Sequence, residues 1–312
     1  MSEETEHTDS MTTKRILIYL GITFLITYLF EFLVIYPSVT NISVAGQATT
    51  QLLVGSVMFF PAIGVLLTRL LTKEKFQNAY VVPKTGKRSI PFFLFGWFGP
   101  VVLTVIGATV YFLIFPSRFD SSMSYMAALL TASGMEATPQ LTQLTVTSQI
   151  ISAVLLSPLL NCLTCFGEEW GWRGYLLPKM QEKCGILPTL LISGIIWGVW
   201  HAPLTALGHN YGVGYKGFPV TGILAMCGFC IVMGIIFSYI TIRTGSCLPA
   251  VLAHGSLNGF AAAPILFTDG TNINPFVGPA PTGIIGGCAF ILCAVIMTVL
   301  LMRHPSKTSQ AV

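Results

Sequence analysis

Two adjacent carboxylates and an arginine, Glu168, Glu169 and Arg173, stand inside a strongly apolar part of the chain. A charged side chain near the centre of a bilayer costs at least ~2.5–3.5 kcal/mol on insertion scales, so it persists where it pairs, faces a cavity or takes part in chemistry. Two later apolar runs carry one histidine each, His201 and His254. These two imidazoles are the natural partners of the carboxylates.

The spacing of these residues predicts which side chains share a helical face and therefore which role each can take. Glu169 and Arg173 are four residues apart, so on a helix they share a face and can form an ion pair. Glu168 is then turned about 100° away from Glu169 and can face the histidines. His254 and Asn258 are also four residues apart, which predicts that an imidazole and a carboxamide project from one stripe of a helix.

One carboxylate, two imidazoles and an amide suit the hydrolysis of an amide bond. A glutamate whose pKa is raised by desolvation is a competent general base for water, and His201 could orient that water. His254 and Asn258 could donate hydrogen bonds to a developing oxyanion. In the alternative arrangement, Glu168, His201 and His254 hold Zn²⁺ and leave one position open for water. A proton relay or ion pathway in a transporter is a further alternative use of the same cluster.

The composition predicts the setting of this chemistry. Of 312 residues, 53% are hydrophobic and 9% are charged, against roughly 25% charged in an average soluble domain. We therefore predict an all-α, polytopic protein of the membrane, with the lipid bilayer as its surroundings. Its partner would be a peptide or membrane-protein substrate, lipidated or not. No basic groove with interleaved aromatic residues is present, which argues against a nucleic-acid partner.

Eight apolar runs have the length of membrane spans. They cover residues 16–35, 52–71, 90–115, 146 to about 180, 186–207, 220–242, 248–267 and 282–302. With the N-terminus inside, fourteen of the sixteen Lys and Arg residues fall on the cytoplasmic side, and Arg118 and Lys216 fall outside. Cytoplasmic loops hold the excess of basic residues, so this asymmetry predicts eight spans with both termini cytoplasmic.

The spans suggest four segments. Residues 1–13 form a polar tail that should be disordered or interfacial, and residues 14–145 hold three spans and an outer loop. Residues 146–267 form the catalytic core, and residues 268–312 hold a loop, the last span and a cytoplasmic tail. We read the first span as a retained anchor, with Glu31 able to reach the outer interface.

Three details of the spans bear on the chemistry. The run at 146–180 is too long for a simple crossing, so it must tilt, break or follow the interface, with Gly167, Gly171 and Gly174 as weak points. The proline after His201, at Pro203, loosens the backbone there. Counted at ~1.5 Å per residue from the cytoplasmic ends, Glu168, His201 and His254 all lie at a depth of roughly 14–22 Å.

Six of the eight cysteines, those at 162, 165, 227, 230, 288 and 293, fall in apolar helical runs. They are therefore expected to be small core residues, despite two pairs with the spacing of redox or zinc sites.

Three motifs in this order carry a family resemblance. Glu168-Glu169-x-x-x-Arg173, Trp197-x-x-x-His201 and His254-x-x-x-Asn258 resemble the CPBP (CAAX protease and bacteriocin-processing) family of intramembrane endopeptidases, also called the ABI family. The resemblance covers about residues 146–267. Family members commonly have Phe where this chain has Trp197; both are aromatic, so the departure is discounted.

The resemblance implies an eight-helix intramembrane protease, a hydrolase of the metalloprotease or metal-free glutamate type. Glu168 matches the water-activating glutamate, and His201 matches its water-binding or metal-binding partner. His254 and Asn258 match a motif implicated in the oxyanion site or metal, and Glu169 with Arg173 matches the structural half of the first motif. Eukaryotic members remove the last three residues of prenylated CAAX proteins. Many prokaryotic members have unknown substrates or are tied to bacteriocin immunity, so prenyl processing is not carried over; we expect the plasma membrane of a prokaryote.

Overall fold

The computed structural model describes the backbone of residues 3–40 and 44–304, and the side chains of residues 10–39 and 49–304. Every regular element in these ranges is a helix, and none of their residues is in a strand, which confirms the all-α prediction. The α-helices are α1 (Glu3–Phe30), α2 (Tyr36–Thr40), α3 (Val44–Val57), α4 (Phe60–Leu71), α5 (Ile90–Ile114), α6 (Ser124–Ala132), α7 (Pro139–Leu155), α8 (Ser157–Leu160), α9 (Cys162–Gly171), α10 (Leu177–Lys183), α11 (Ile186–Trp200), α12 (Ala202–Ala206), α13 (Val220–Thr244), α14 (Leu248–Phe260) and α15 (Cys288–Arg303). Two π-helical turns, Glu31–Ile35 and Trp172–Leu176, interrupt this series.

Long apolar helices make this an integral, multi-pass membrane protein. Among the described residues, five segments are long and apolar enough to cross a membrane: Ser10–Val39, Thr49–Leu71, Gly86–Ile114, Val220–Thr244 and Leu248–Phe267. Two shorter apolar helices, Ile186–Trp200 and Cys288–Arg303, correspond to the predicted spans at 186–207 and 282–302. The number of eight spans and the cytoplasmic position of the termini stay predictions.

The long fourth run is broken, as predicted. α7 ends at Leu155, the short α8 follows, and α9 leads through the π turn Trp172–Leu176 into α10. The first break lies at Leu156, two residues before Pro158, which cannot donate a backbone hydrogen bond. Of the three glycines that the sequence offered as weak points, Gly167 lies inside α9, Gly171 is the last residue of α9, and Gly174 lies in the π turn that follows.

α1 begins at Glu3, so residues 3–13 of the tail are helical, and the interfacial position of the tail stays a prediction. Two local predictions differ from the structure. Glu31 does not reach the interface, because the π turn and its contacts with α3 and α12 leave it 1% exposed. The last helix begins at Cys288 and not at 282, because residues before it fold into tight turns closed by Gly283 N–H to the Ala280 carbonyl and Gly287 N–H to the Gly283 carbonyl.

The described chain divides into two compact units. The first comprises Met1–Phe92, Leu163–Val251 and Ile296–Val312, and the second comprises Phe93–Cys162 and Leu252–Val295. The predicted catalytic segment 146–267 is therefore shared between the two units. The boundaries of the four predicted segments stay predictions.

The first unit is organised around α11 and α13, which pack along each other, and around α1 and α4, which form a second pair. Gly198 permits the close approach of α11 to α13, since a Cβ at this position would lie 2.4 Å from the Cα of Cys227. This contact brings the end of α11, where His201 follows, against the middle of α13.

The second unit has its own small core and polar ties. Met126, Leu130 and Val146 form a buried cluster. Trp97 on α5 donates its indole N–H to the Val154 carbonyl (2.9 Å) and accepts a hydrogen bond from the Ser256 hydroxyl at its own carbonyl (2.7 Å). These bonds tie α5 to α7 and to α14.

Candidate functional site

Both glutamates lie on α9. This helix packs so closely against neighbouring segments that two of its positions, Gly167 and Gly171, leave no space for a side chain. A Cβ on Gly167 would lie 2.5 Å from the Met58 carbonyl oxygen. A Cβ on Gly171 would lie 2.4 Å from the Cβ of Pro61 and 2.6 Å from the hydroxyl of Tyr19. The glycine face of α9 is thus fixed against α1 and the start of α4, which places the two glutamates on its other faces.

We expect Gly171→Ala to lower the stability of the protein by about 1–3 kcal/mol, because overpacking a close contact forces its neighbours to shift. The measurement is thermal unfolding of the purified protein in detergent. Gly228→Ala is the matched control, since a Cβ at this exposed position of α13 meets nothing within 4 Å and alanine favours a helix over glycine. Equal unfolding temperatures for the two variants would contradict the close contact.

Glu169 and Arg173 form the predicted ion pair. The guanidinium Nη1 of Arg173 donates to Oε1 of Glu169 at 3.1 Å, and Arg173 and Glu169 are 3% and 0% exposed respectively. The guanidinium carbon also lies 4.1 Å from the ring centroid of Trp197 and 5.4 Å from that of Phe237, distances at which a cation is attracted to an aromatic face. One carboxylate and two rings therefore hold this arginine inside the first unit.

Glu168 contacts α11 through Trp197, and its orientation towards both histidines stays a prediction. It is 2% exposed, and the indole Nε1 of Trp197 donates a hydrogen bond to its Oε2 at 2.8 Å. Trp197 stands one helical turn before His201. The departure from the family's phenylalanine at Trp197 was wrongly discounted, because phenylalanine at this position has no N–H to hold the carboxylate.

His201 is connected to the same tryptophan through the backbone. Its Nδ1 lies 2.8 Å from the Trp197 carbonyl oxygen, and the imidazole is 8% exposed. A carbonyl oxygen only accepts hydrogen bonds, so Nδ1 carries a proton. Trp197 thereby orients both the carboxylate of Glu168 and the imidazole of His201.

Aromatic rings and a thiol also lie close to His201 in the first unit. Its imidazole meets the Trp200 ring edge to face at 4.8 Å, and the Cys230 sulfur lies 3.9 Å from Nδ1. Cys230, like the other seven cysteines, is not in a disulfide. Of the six cysteines predicted to be small core residues, Cys165 and Cys230 are buried, whereas those at 162, 227, 288 and 293 are half-buried.

His254 and Asn258 belong to the second unit and lie on α14. Their spacing of four residues is helical, as predicted, yet His254 is 5% exposed whereas Asn258 is exposed. The neighbouring face of α14 packs closely, because a Cβ on Gly255 would lie 2.9 Å from the Pro158 carbonyl oxygen. The convergence of His254 with Glu168 and His201 stays a prediction from the sequence.

A polar network surrounds Glu74, in the loop after α4, and connects it to α10. Lys179 Nζ donates to Glu74 Oε1 at 2.6 Å, and the Tyr175 hydroxyl donates to Oε2 at 2.8 Å. Burial by itself raises the pKa of Glu74. The hydrogen bonds from Lys179 and Tyr175 and the charges of Lys179 and Arg69 outweigh that effect, so its pKa lies below the usual value. Glu74 is therefore ionised at neutral pH and holds the loop on the end of the π turn.

The donor set was tested for a metal site. In residues 10–39 and 49–304, no group of three or more His, Cys, Asp and Glu side chains is arranged to hold a metal ion. The carboxylate of Glu168 and an imidazole nitrogen of His201 are of the kind that zinc accepts. They make two ligands, whereas catalytic zinc sites have three protein ligands, so these two side chains alone do not form such a site.

Comparison with known proteins supports the resemblance that the three motifs suggested. Residues 149–260 match a protein family described as type II CAAX prenyl endopeptidase Rce1-like. This segment contains all six predicted site residues. The CPBP-type resemblance is thus confirmed over this part of the chain.

One curated relative is the CAAX prenyl protease 2 of Methanococcus maripaludis. It is 36% identical over 44 residues, which are 14% of this chain and 16% of the relative. The matched region is about a sixth of the relative's length, so its activity and substrates reach this protein only as proposals.

Proposed function

We propose that this protein is an intramembrane endopeptidase that hydrolyses a peptide bond with water activated by Glu168. The observation that supports it most is the pair of hydrogen bonds through Trp197, which hold a buried carboxylate and a buried imidazole in one small region. The family match over residues 149–260 supports the same class of hydrolase.

The roles follow from the donors and acceptors at each atom. Glu168 accepts a proton from water as the water oxygen attacks the carbonyl carbon of the substrate, and it returns the proton to the leaving amine. His201, with its proton on Nδ1, presents the Nε2 lone pair, which can accept the second hydrogen bond of that water. Trp197 holds Glu168 in place during both proton transfers.

Glu169 and Arg173 have a structural role in this proposal, since each neutralises the charge of the other inside the protein. For His254 and Asn258 we keep the roles that the resemblance implies, in stabilising the oxyanion or in binding a metal.

The substrate would be a peptide or membrane protein, prenylated or not. The experiment reconstitutes purified protein in liposomes with two matched peptides. Both end in cysteine and three aliphatic residues, and only one carries a prenyl group. We expect mass spectrometry to find a cleaved product in at least one reaction. If neither peptide is cut, and membrane-peptide fragments from cells with the native protein equal those from cells with Glu168→Gln, the proposal is wrong.

The same assay decides between zinc and metal-free chemistry. A zinc ion, where bound, would supply a Lewis acid that lowers the pKa of its water, with Glu168, His201 and His254 as the proposed ligands. Metal analysis of the purified protein accompanies a chelator titration of cleavage. Stoichiometric metal whose removal reversibly stops cleavage would establish zinc, whereas full activity of metal-depleted protein would exclude it.

The setting we propose is the plasma membrane of a prokaryote.

A further inference from the structure

The helix that leads to His201 is interrupted by a missing backbone donor. α11 ends at Trp200 and α12 begins at Ala202, with His201 between them. In a continuous helix, the carbonyl of Val199 would accept the N–H of residue 203. Residue 203 is Pro203, which has no N–H.

A side chain from α1 occupies the place of that donor. The Tyr28 hydroxyl donates to the Val199 carbonyl oxygen at 2.6 Å. The next residue of α11, Trp200, donates its indole N–H to the Thr27 hydroxyl at 2.9 Å. Two consecutive residues of α1 therefore fix the last two residues before His201.

The second unit contains the same arrangement independently. Pro158 removes the donor that the Val154 carbonyl would have in a continuous helix, and the Trp97 indole N–H donates to that carbonyl at 2.9 Å. An aromatic side chain thus supplies the hydrogen bond at both breaks. This is expected for helices in a bilayer, where an unsatisfied backbone group costs several kcal/mol.

Because the Val199 carbonyl and the His201 ring share one helical turn, this bond also affects the imidazole. The ring depends on the Trp197 carbonyl for its proton position at Nδ1 and on the Trp200 ring for its edge contact. If the turn relaxes, both contacts change together.

We infer that Tyr28 is a positioning residue, whose hydroxyl replaces the missing amide of Pro203 and so keeps the last turn of α11, and with it His201, in the arrangement described. The inference rests on the proposed function for its effect on catalysis. Tyr28 lies outside the segment 149–260 that matches the family.

The test is a cycle of four proteins: native, Tyr28→Phe, Pro203→Ala and the double variant. We expect Tyr28→Phe to lower kcat about 10-fold to 100-fold with KM unchanged, since a small displacement of a catalytic group costs up to about that much. In the double variant the alanine that replaces Pro203 again has an N–H for the Val199 carbonyl, so kcat should recover to that of Pro203→Ala. A double variant as slow as Tyr28→Phe, or slower, would overturn the inference.

A second readout does not need activity. Nitrogen NMR of protein labelled in its histidines, with the His201 signal assigned by its loss in His201→Asn, reports which ring nitrogen is protonated. We expect the Nδ1-protonated fraction to fall in Tyr28→Phe and to return in the double variant. If the native protein cleaves nothing while this pattern appears, the proposed function fails and the positioning role stands. If Tyr28→Phe leaves the fraction unchanged, the positioning role is wrong.

Discussion

Glu168→Gln should reduce peptide cleavage by at least ~10²-fold, and up to ~10⁴-fold, the range that a general base contributes. The side chains have almost the same shape, and the amide oxygen of glutamine can still accept the hydrogen bond that Trp197 donates to Glu168. The variant should therefore insert and unfold like the native protein while lacking a base for water. Initial rates in liposomes and thermal unfolding in detergent measure the two properties.

Glu169→Gln is the matched control on the same helix. It leaves the buried Arg173 without its carboxylate, so we expect a loss of stability first and a loss of activity only as a consequence. An exposed carboxylate, Glu136, provides a second control in Glu136→Gln, which should change neither property.

If Glu168→Gln is active, and Glu169→Gln is inactive but fully stable, then Glu169 is the general base and Glu168 has the structural role. Full activity in both variants would remove the glutamate mechanism altogether. If native protein cleaves no peptide and instead carries a proton flux in liposomes that depends on Glu168, the transporter alternative would replace the protease.

Arg173→Met should lower the free energy of unfolding by about 3–5 kcal/mol, the range for breaking a buried ion pair by removing one partner. The substitution leaves the carboxylate of Glu169, which is 0% exposed, without its counter-ion. It also removes the contact of the guanidinium with the Trp197 ring at 4.1 Å. Chemical unfolding of the protein in mixed micelles, followed by tryptophan fluorescence, gives the difference.

The double variant Glu169→Gln with Arg173→Met tests the cause. It places two neutral side chains at these positions, and replacing a buried pair with neutral groups is often tolerated. We expect it to recover most of the loss, with a coupling free energy of about 0.5–3 kcal/mol or more in the double-mutant cycle. If the double variant is no more stable than Arg173→Met, the pair does not act as a unit.

Local spacing in the sequence was sufficient for part of the site. The ion pair of Glu169 with Arg173 follows from their separation by four residues, and the break at His201 follows from Pro203. The rotation of Glu168 away from Glu169 follows from helical geometry alone. These features depend on neighbours in the chain, which the sequence displays directly.

Other features depend on which helices pack together, and local patterns do not encode that. The hydrogen bond from Trp197 to Glu168 joins residues 29 positions apart, and the burial of Glu31 results from contacts with α3 and α12. The sequence does indicate that a donor such as Tyr28 is needed, because a proline four residues after Val199 leaves the Val199 carbonyl without its helical donor. Which side chain supplies that donor can be known only from the packing of α1 on α11.

The contact of α1 with the end of α11 also bears on how the protein is made. Tyr28 and Val199 are 171 residues apart in the chain, so the donor enters the membrane long before its acceptor is synthesised. The turn before His201 is completed only when α11 packs against the first helix. The first span was read from the sequence as an anchor. A shortened protein that lacks it should still enter the bilayer through its later spans, but its histidine would have lost the support that the first helix provides.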